Sequence, residues 1–436
     1  MILETNLRKY LYFIVTPQIM NVAIIGGGAA GFFAALSCKH HHPAARVTIY
    51  EKSSKLLAKV KVSGGGRCNV MHDCFTVSQL IKHYPRGGKA LKKPFTQFGP
   101  SETQAWFEQR GVPLRTEADG RMFPISNTSQ TIIDCFLQEA QRLGVVVQTH
   151  SPVHALVPDG NTFQLTIGSE KVTADRVIVA TGGSPKQSGL QWLADLGHAI
   201  APPVPSLFTF NMPDTPLTAL PGLSVERALV RVPGTKLSHD GPLLVTHWGT
   251  SGPAVLKLSA WGARALSERD YRFPVQINWL GEPNEEAVRT ALMEQLVSLG
   301  GRKVSNKNPY QLPQRLWNHL LTKADIDPDT PWAELSKKRR NALLTTLLND
   351  SYTVSGKTTF KEEFVTCGGV CLSDVDMNTL ESRVCPGLYF AGEVLDIDGI
   401  TGGFNFQAAW STGFVAGKLD SKQEATPTFS NKRLLA

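Results

Sequence analysis

A glycine-rich turn near the start of the chain has the spacing of a dinucleotide-binding site. Gly26, Gly28 and Gly31 follow an apolar strand, Val22–Ile25, and a helical run, Ala29–Cys38, begins inside the motif. Gly26 permits the tight turn, Gly28 lets the backbone approach a pyrophosphate, and Gly31 lets the helix pack closely on the strand. The free N–H groups and the dipole at the helix N-terminus attract phosphate. This turn therefore predicts a bound diphosphate.

An acidic residue completes the unit. The second strand, Val47–Tyr50, is followed by Glu51, which lies 20 positions after Gly31. The Glu51 carboxylate can accept hydrogen bonds from both hydroxyls of a ribose and would repel a 2′-phosphate, so it predicts an unphosphorylated ADP moiety. The strand–helix–strand–acid order is much more specific than a glycine motif alone. NAD and FAD both contain this moiety, and at this point either fits.

Later glycine clusters favour a flavin. The loop Lys61–Asn69 holds three consecutive glycines and Arg67, and it can lay N–H groups along the remote half of a long dinucleotide. Near the other end of the chain, Gly387–Glu393 repeats the strand–glycine–acid pattern and Gly399–Asn405 precedes a helix. The Glu393 carboxylate can accept hydrogen bonds from ribityl hydroxyls, and a helix N-terminus can stabilise negative charge on a reduced flavin.

The length and composition of the chain are those of a large folded protein, which can position these residues. The 436 residues are 42% hydrophobic and 19% charged, which provides the cores of about two or three domains and excludes wholesale disorder. Seven scattered cysteines do not form the pattern of a secreted disulfide framework. The net charge of +8 is compatible with a nucleic acid, an anionic lipid or an anionic cofactor and selects none of them. The densest basic run, Lys337–Arg340, is interpreted as a solvated helix face.

The N-terminal region resembles an export signal or a membrane span, because no charged residue occurs from Tyr10 to Cys38. Thr16–Gln18 interrupts the apolar run, however, and the small residues Gly26–Gly31 stand where a spanning helix would be bulky. We therefore expect an extension over residues 1–19, a domain that begins at Met20, no membrane partner and a cytoplasmic protein.

Seven sequence blocks occur in the order of a known family. They are Gly26–Gly31 with Glu51, Ser63–Asn69, Gly120–Pro124, Ala180–Gly183, Pro205–Leu207, Thr246–Pro253 and Gly387–Gly417. By these blocks the chain resembles the YhiN/BaiN-type bacterial NAD(P)/FAD-dependent oxidoreductases, a group that includes aminoacetone oxidase. The resemblance covers about residues 20–418 and implies FAD as the cofactor. It also implies an α/β fold in which both chain ends build a Rossmann-like FAD-binding domain, with an inserted β-rich, barrel-like domain and a helical domain.

The pattern along the rest of the chain agrees with this division. Short β-like runs lie between Pro205 and Arg272, a helical pattern covers 284–349, and strand-like residues return over 354–365. The predicted boundaries are 1–19 for the N-terminal extension, 20–205 and 366–418 for the FAD-binding domain, 206–282 and 351–365 for the β-rich domain, 283–350 for the helical domain, and 419–436 for a C-terminal tail.

The motifs and the resemblance together predict the residues that bind FAD. His247 and Cys68 are the tempting active-site residues, but a hydrogen-bonded structural histidine and a small packing residue are the favoured interpretations. No catalytic residue is therefore assigned, and no metal site is expected. The predicted FAD-binding residues are Gly26, Gly28, Ala29, Ala30, Gly31, Glu51, Lys52, Gly65, Arg67, Cys68, Asn69, Val153, Thr181, Gly182, Gly183, Gly392, Glu393, Gly402, Gly403, Phe404 and Asn405.

These features predict an FAD-dependent oxidoreductase that moves a hydride to or from flavin N5. The sequence contains no second strand–GxGxxG–helix unit and no Cys-x4-Cys redox pair. Electrons must therefore come from a small-molecule substrate or from NAD(P)H bound without that motif. Two reactions stay open: oxidation of a small amine with oxygen as acceptor, and reduction of an activated C=C bond.

Two other function classes are weighed against this one. One is a flavin-dependent RNA-modifying protein that uses Lys337–Arg340 to hold RNA, and the other is a flavin-binding redox sensor without turnover. Because a diphosphate cofactor accounts for part of the positive charge, no stable nucleic-acid partner is expected.

Overall fold

The computed structural model describes residues 19–282, 284–358 and 365–420. The predicted C-terminal tail, apart from Leu419 and Asp420, and the predicted N-terminal extension, apart from Ile19, lie outside these ranges. The strands are β1 Asn21–Ile25, β2 Arg46–Tyr50, β3 Met71–His72, β4 Leu114–Thr116, β5 Arg121–Pro124, β6 Val146–Gln148, β7 Val153–Asp159, β8 Thr162–Ile167, β9 Glu170–Ala174, β10 Arg176–Val179, β11 Ile200–Ser206, β12 Thr209–Asn211, β13 Ser224–Arg231, β14 Ser238–Thr246, β15 Gly249–Ser251, β16 Arg272–Asn278, β17 Asp350–Ser355, β18 Lys357–Thr358, β19 Val365–Val370 and β20 Leu388–Phe390. The helices are α1 Ala29–His41, α2 Ala58–Gly66, α3 Val77–Leu80, α4 Gly88–Gln97, α5 Pro100–Glu108, α6 Ser129–Arg142, α7 Gln191–Asp195, α8 Pro253–Ser267, α9 Glu285–Leu299, α10 Gln314–Lys323, α11 Lys337–Leu348 and α12 Phe404–Gly417.

Both ends of the chain build one parallel sheet. Its order is β20-β10-β1-β2-β6, so a strand from near the C-terminus lies beside strands from the first half of the chain. The central strand β1 is a continuous apolar run because helices cover both faces of such a sheet. Helices α1 and α12 approach closely, since a Cβ on Gly417 would lie 2.3 Å from the Ala34 carbonyl oxygen. The predicted α/β, Rossmann-like fold is confirmed.

The inserted β-rich part is a seven-stranded sheet in the order β17-β16-β13-β14-β15-β12-β18. Strands β17 and β18 follow each other in the chain but pair with opposite edges: β17 with β16, and β18 with β12. The segment 350–358 therefore closes the sheet on itself, which gives the barrel-like form expected from the resemblance.

A two-stranded antiparallel ribbon joins the two parts. Strands β11 and β19 pair from Ile200–Val370 to Ser206–Val365. The predicted boundaries at 205/206 and 365/366 fall inside this ribbon and stay predictions.

One long helix of the β-rich part was not expected. The sequence predicted short strands separated by turns between Pro205 and Arg272 and no helix there, whereas α8 occupies 15 residues of that stretch. Pro253 stands at its first turn, and proline there is compatible with a helix because the missing N–H needs no intrahelical partner. Its apolar face, including Val255 and Leu258, is buried against the β-rich core.

A buried ion pair links the segment after β20 to both domains. Arg86 forms a two-point ion pair with Asp398 and also donates to the Ala260 carbonyl oxygen (2.6 Å) and to Ser206 Oγ (3.3 Å). The Asp398 side chain is 0% exposed, and Ser206 Oγ donates to its Oδ2 (2.7 Å). Four backbone segments therefore meet at one carboxylate.

No helix within the described residues is long and apolar enough to cross a membrane.

Candidate functional site

A cavity of about 760 Å³ lies where both parts of the parallel-sheet domain meet the barrel. The predicted residues that line it are Gly26, Gly28, Ala29, Ala30, Glu51, Lys52, Gly65, Arg67, Asn69, Thr181, Gly182, Gly183, Gly392, Glu393, Gly402, Gly403 and Asn405. Residues from both chain ends, more than 300 positions apart, therefore share one wall.

The glycines of the first turn have distinct spatial roles. Gly26 has φ +115°, and a Cβ there would lie 2.4 Å from the Ala180 carbonyl oxygen. A Cβ on Gly31 would lie 2.0 Å from the Gly26 carbonyl oxygen, so this glycine is required for packing. A Cβ on Gly28 would meet nothing within 4 Å, so open space lies above the helix N-terminus. That space suits a diphosphate.

Glu51 is fixed beside this turn. Its Oε2 accepts from the Gly27 N–H (2.9 Å), while Oε1 accepts from the N–H and the hydroxyl of Ser53 (2.9 and 2.8 Å). These bonds hold the carboxylate at the cavity wall, where Oε2 retains a lone pair for a ribose hydroxyl.

The second glycine loop is hydrogen-bonded to the start of α12. It begins as the helical turn of α2, a feature the sequence did not predict, and leaves the helix at Ser63–Gly65. The Asn69 amide, oriented to satisfy both neighbours, donates to the Met71 carbonyl oxygen (3.1 Å) and accepts from the Gly403 N–H (3.0 Å). Arg67 pairs with Glu117 (2.7 Å). The loop and the N-terminus of α12 therefore form one rigid cradle.

The acidic residue near the C-terminus is already partnered. Glu393 Oε2 accepts from Lys59 Nζ (2.8 Å), and Oε1 accepts from the Thr366 N–H (2.7 Å). The Lys59 contact crosses the cavity from α2 and was missed by sequence reasoning, because no motif includes Lys59.

Four predicted cofactor residues lie off the cavity wall: Gly31, Cys68, Val153 and Phe404. Gly31 lets α1 pack closely on β1, and Val153 is the first residue of β7. Cys68 is fully buried, and this burial raises the pKa of its thiol to about 12, so it is not a nucleophile at neutral pH. Their direct contact with the cofactor stays a prediction.

Phe404 instead supports an aromatic cluster behind the glycines. The His72 and His83 rings stack on it with centroid distances of 4.8 and 4.4 Å and interplanar angles of 19° and 15°. His72 was not singled out by the motifs. A Cβ on Gly402 would lie 3.5 Å from His72 Cδ2, so this cluster holds the backbone at the start of α12 in place.

His247 is exposed and does not line the cavity. The barrel wall consists of residues that sequence reasoning did not single out for binding: Leu207, Thr209, Ser251, Leu256 and Thr358. Leu207 and Ser251 each lie in one of the seven family blocks, and this position in the sequence could have indicated that they line the cavity.

The comparison with known families agrees with this geometry. The family described as "HI0933-like protein Rossmann domain" matches residues 20–419. The chain belongs to this family. It is an FAD-dependent oxidoreductase, and its cofactor is FAD.

The curated relatives extend over nearly the whole chain. The chain is 29% identical to the 3-dehydro-bile acid delta(4,6)-reductase of Clostridium scindens, over 92% of this chain and 99% of that protein. It is 30% identical to the ribosomal RNA dihydrouridine synthase of Escherichia coli, over 89% of this chain and 95% of that protein. Among solved structures, a flavocytochrome c3 fumarate reductase in an open conformation aligns with a TM-score of 0.48 at 16% identity, covering 92% of this chain and 78% of that chain. Family membership rests on the family match and the curated relatives.

FAD supplies hydride transfer at its N5 atom when bound. The chain's own contribution follows from the cradle. The space above Gly28 would take the pyrophosphate, Glu51 the adenosine ribose, and the α12 N-terminus the pyrimidine edge of the flavin.

Proposed function

We propose that the protein reduces a C=C bond conjugated to a carbonyl group, using a hydride taken from reduced FAD. The observation that carries this proposal is the polarity of the barrel side of the cavity. That side combines the apolar residues Leu207 and Leu256 with the hydroxyl groups of Thr209, Ser251 and Thr358.

Within the described residues, this wall has no free carboxylate that would hold an amine. Among the described lining residues the acidic side chains are Glu51, whose remaining acceptor site is proposed to hold the adenosine ribose, and Glu393, which pairs with Lys59. A substrate ammonium would need a carboxylate partner when removed from water. A neutral carbonyl compound needs only a hydrogen-bond donor and apolar contact. Reduction of a conjugated C=C bond is therefore favoured over amine oxidation.

The names of the relatives support the same chemistry. One is a delta(4,6)-reductase of a 3-dehydro bile acid, and the other makes dihydrouridine. Dihydrouridine differs from uridine by saturation of a C=C bond conjugated to a ring carbonyl. Steroid-like enones and uracil rings share this conjugated group.

The test compares both half-reactions. The reduced holoenzyme is mixed without oxygen with 2-cyclohexen-1-one or uridine, and the oxidised holoenzyme is mixed with aminoacetone or benzylamine. We expect the flavin absorbance to return on mixing with the C=C compounds and to stay unchanged with the amines. Rapid bleaching by an amine, with no reaction of the C=C compounds, would contradict the proposal. NADH and NADPH are tested in parallel as reductants.

A second candidate is that the reduced C=C bond belongs to a uracil in RNA. The similarity to a ribosomal RNA dihydrouridine synthase over 89% of the chain favours it. Lys337 and Lys338 are exposed at the start of α11, where no acidic residue neutralises the first turn.

Salt dependence tests this second candidate. If the start of α11 contacts phosphates, neutralising Lys337–Arg340 should weaken binding of a ribosomal RNA fragment and reduce the slope of log affinity against log salt. Binding that is unchanged in the variant would exclude this surface. Loss of RNA binding leaves the 2-cyclohexen-1-one result unaffected, so the two candidates are separable.

A further inference from the structure

Three hydroxyl groups lie on the barrel wall of the cavity, and two of them are already engaged. Thr209 Oγ1 donates to the Thr358 carbonyl oxygen (3.2 Å) and accepts from Trp248 Nε1 (3.2 Å). Thr358 Oγ1 donates to Asn211 Oδ1 (2.9 Å). In the part of the chain that the structure describes, Ser251 Oγ forms no hydrogen bond. Among the described hydroxyl groups of this wall, Ser251 therefore presents the uncommitted donor.

The backbone around Ser251 is rigid. Ser251 pairs with Leu244 at the end of β15. The flanking glycines pack closely on neighbouring backbone: a Cβ on Gly249 would lie 2.1 Å from the Phe210 carbonyl oxygen, and one on Gly252 would lie 2.7 Å from the Pro242 carbonyl oxygen. A donor on such a backbone pays little entropy when it binds a ligand.

The field at Ser251 favours negative charge. Helix α8 begins two residues later at Pro253 and runs for 15 residues, so its positive dipole end lies beside the hydroxyl. The same cavity is lined by Gly402 and Gly403 at the start of α12. Ser251 and the start of α12 therefore share one cavity.

We propose that the Ser251 hydroxyl is a catalytic hydrogen-bond donor to the carbonyl oxygen of the substrate. This inference rests on the proposed function. Hydride adds to the carbon β to the carbonyl, the C=C electron pair moves toward the oxygen, and the resulting enolate oxygen accepts the Ser251 hydrogen bond. A solvent proton then adds to the α carbon and completes the saturated product. Because the negative charge develops in the transition state, the donor lowers the barrier more than it tightens substrate binding.

The kinetic test uses Ser251→Ala, Ser251→Thr and a matched control, Ser224→Ala. Ser224 pairs with the same residue, Leu244, from the neighbouring strand, but it is exposed and does not line the cavity. With 2-cyclohexen-1-one, Ser251→Ala should lower kcat by about 100-fold while KM changes little. Ser251→Thr should retain most of the rate, and Ser224→Ala should match the unaltered protein. Equal kcat for Ser251→Ala and the unaltered protein would overturn the assignment.

A binding test needs no turnover. The phenolate of 4-chlorophenol resembles an enolate oxygen, and its binding to the oxidised holoenzyme is followed by the flavin absorbance. Ser251→Ala should weaken phenolate binding about tenfold at equal FAD content, whereas Ser251→Thr and Ser224→Ala should not. If the unaltered protein reduces neither 2-cyclohexen-1-one nor uridine, the proposed function fails. The phenolate-binding test alone then decides the role of Ser251. Equal phenolate affinity in all four proteins would then refute it.

Discussion

Single residues beside the flavin side of the cavity are held in their neutral forms. Burial, with a further contribution from the neighbouring His72, Lys257 and Lys82, lowers the pKa of His83 to about 4. Burial also lowers the pKa of His72, although Asp73 and Asp119 oppose this change. Both imidazoles are therefore neutral at pH 7, which suits their stacking and removes positive charge from behind the flavin site.

The low pKa of His83 predicts acid sensitivity. The unfolded chain takes up this proton near pH 6.5, but the folded protein does so only near pH 4, so stability is full above 6.5 and falls as the pH drops toward 4. Replacing His83 by Phe keeps a ring against Phe404 and should remove part of this loss. Melting temperatures from pH 7.5 to 4.5 measure it, with exposed His247→Gln as control. A variant with the same acid slope as the unaltered protein would refute the prediction.

Cys68 should be unreactive in the folded protein. Its pKa of about 12 leaves almost no thiolate at pH 8, and the side chain is fully buried. N-ethylmaleimide should therefore modify Cys68 only after denaturation, as read by peptide mass spectrometry. Cys74, which is partly exposed, serves as the internal comparison. Modification of Cys68 in the native protein at a rate similar to that of Cys74 would contradict this.

At the scale of elements, the glycines of the β1–α1 turn differ in the space that surrounds them. A side chain at Gly28 would enter open space, whereas one at Gly31 would strike the Gly26 carbonyl oxygen at 2.0 Å. The same motif therefore contains one glycine that borders open space and one needed for the packing of helix on strand.

Substitutions in this turn should separate the two roles. Gly28→Val should purify as folded but colourless protein, because the added side chain occupies the phosphate space. Gly31→Ala should lose stability, since the backbone must move to remove the contact. Circular dichroism and the FAD absorbance per protein measure both effects. Gly301→Val, where a Cβ also meets nothing within 4 Å, is the control and should stay yellow. A yellow Gly28→Val protein would contradict the assignment of this space.

The same elements show what the sequence could reveal. Helix α6 and its Thr128 N-cap were predictable, because the cap and the apolar spacing are local signals. The course of α8 was not, because Pro253 and Gly262 resemble turn residues until barrel packing requires a helix. The lining of one cavity by residues from both chain ends followed from the glycine motifs, and their contact with FAD stays a prediction. The barrel wall and Lys59 did not follow from these motifs, since their place in the cavity depends on contacts between distant segments.

At the scale of the whole molecule, the Arg86–Asp398 pair connects the barrel, the ribbon of β11 and β19, and the cavity wall. Burial outweighs the Arg86 guanidinium and raises the pKa of Asp398 above its ordinary value. Burial of this pair therefore costs desolvation free energy. Removal of one partner destabilises the fold further, because the other charge is then left buried without compensation.

Loss of this pair should destabilise the protein globally. Arg86→Met should lower the free energy of unfolding by about 3–5 kcal/mol. The exposed pair Arg289–Glu285 is the control, and Arg289→Met should cost less than about 0.5 kcal/mol. Urea titration followed by tryptophan fluorescence measures both, and an equal, small effect of the two substitutions would refute the coupling.

The ribbon of β11 and β19 also bears on the order of folding. Ser206 and Val365 are paired neighbours, yet about 160 residues separate them in the chain. Closing an unfolded loop of that length costs about 4 kcal/mol more than closing a tight turn. A barrel that has already folded removes this cost, because its own closure by 350–358 brings its two ends together. The barrel should therefore form early, and the parallel sheet, which needs strands from both sides of it, should assemble last.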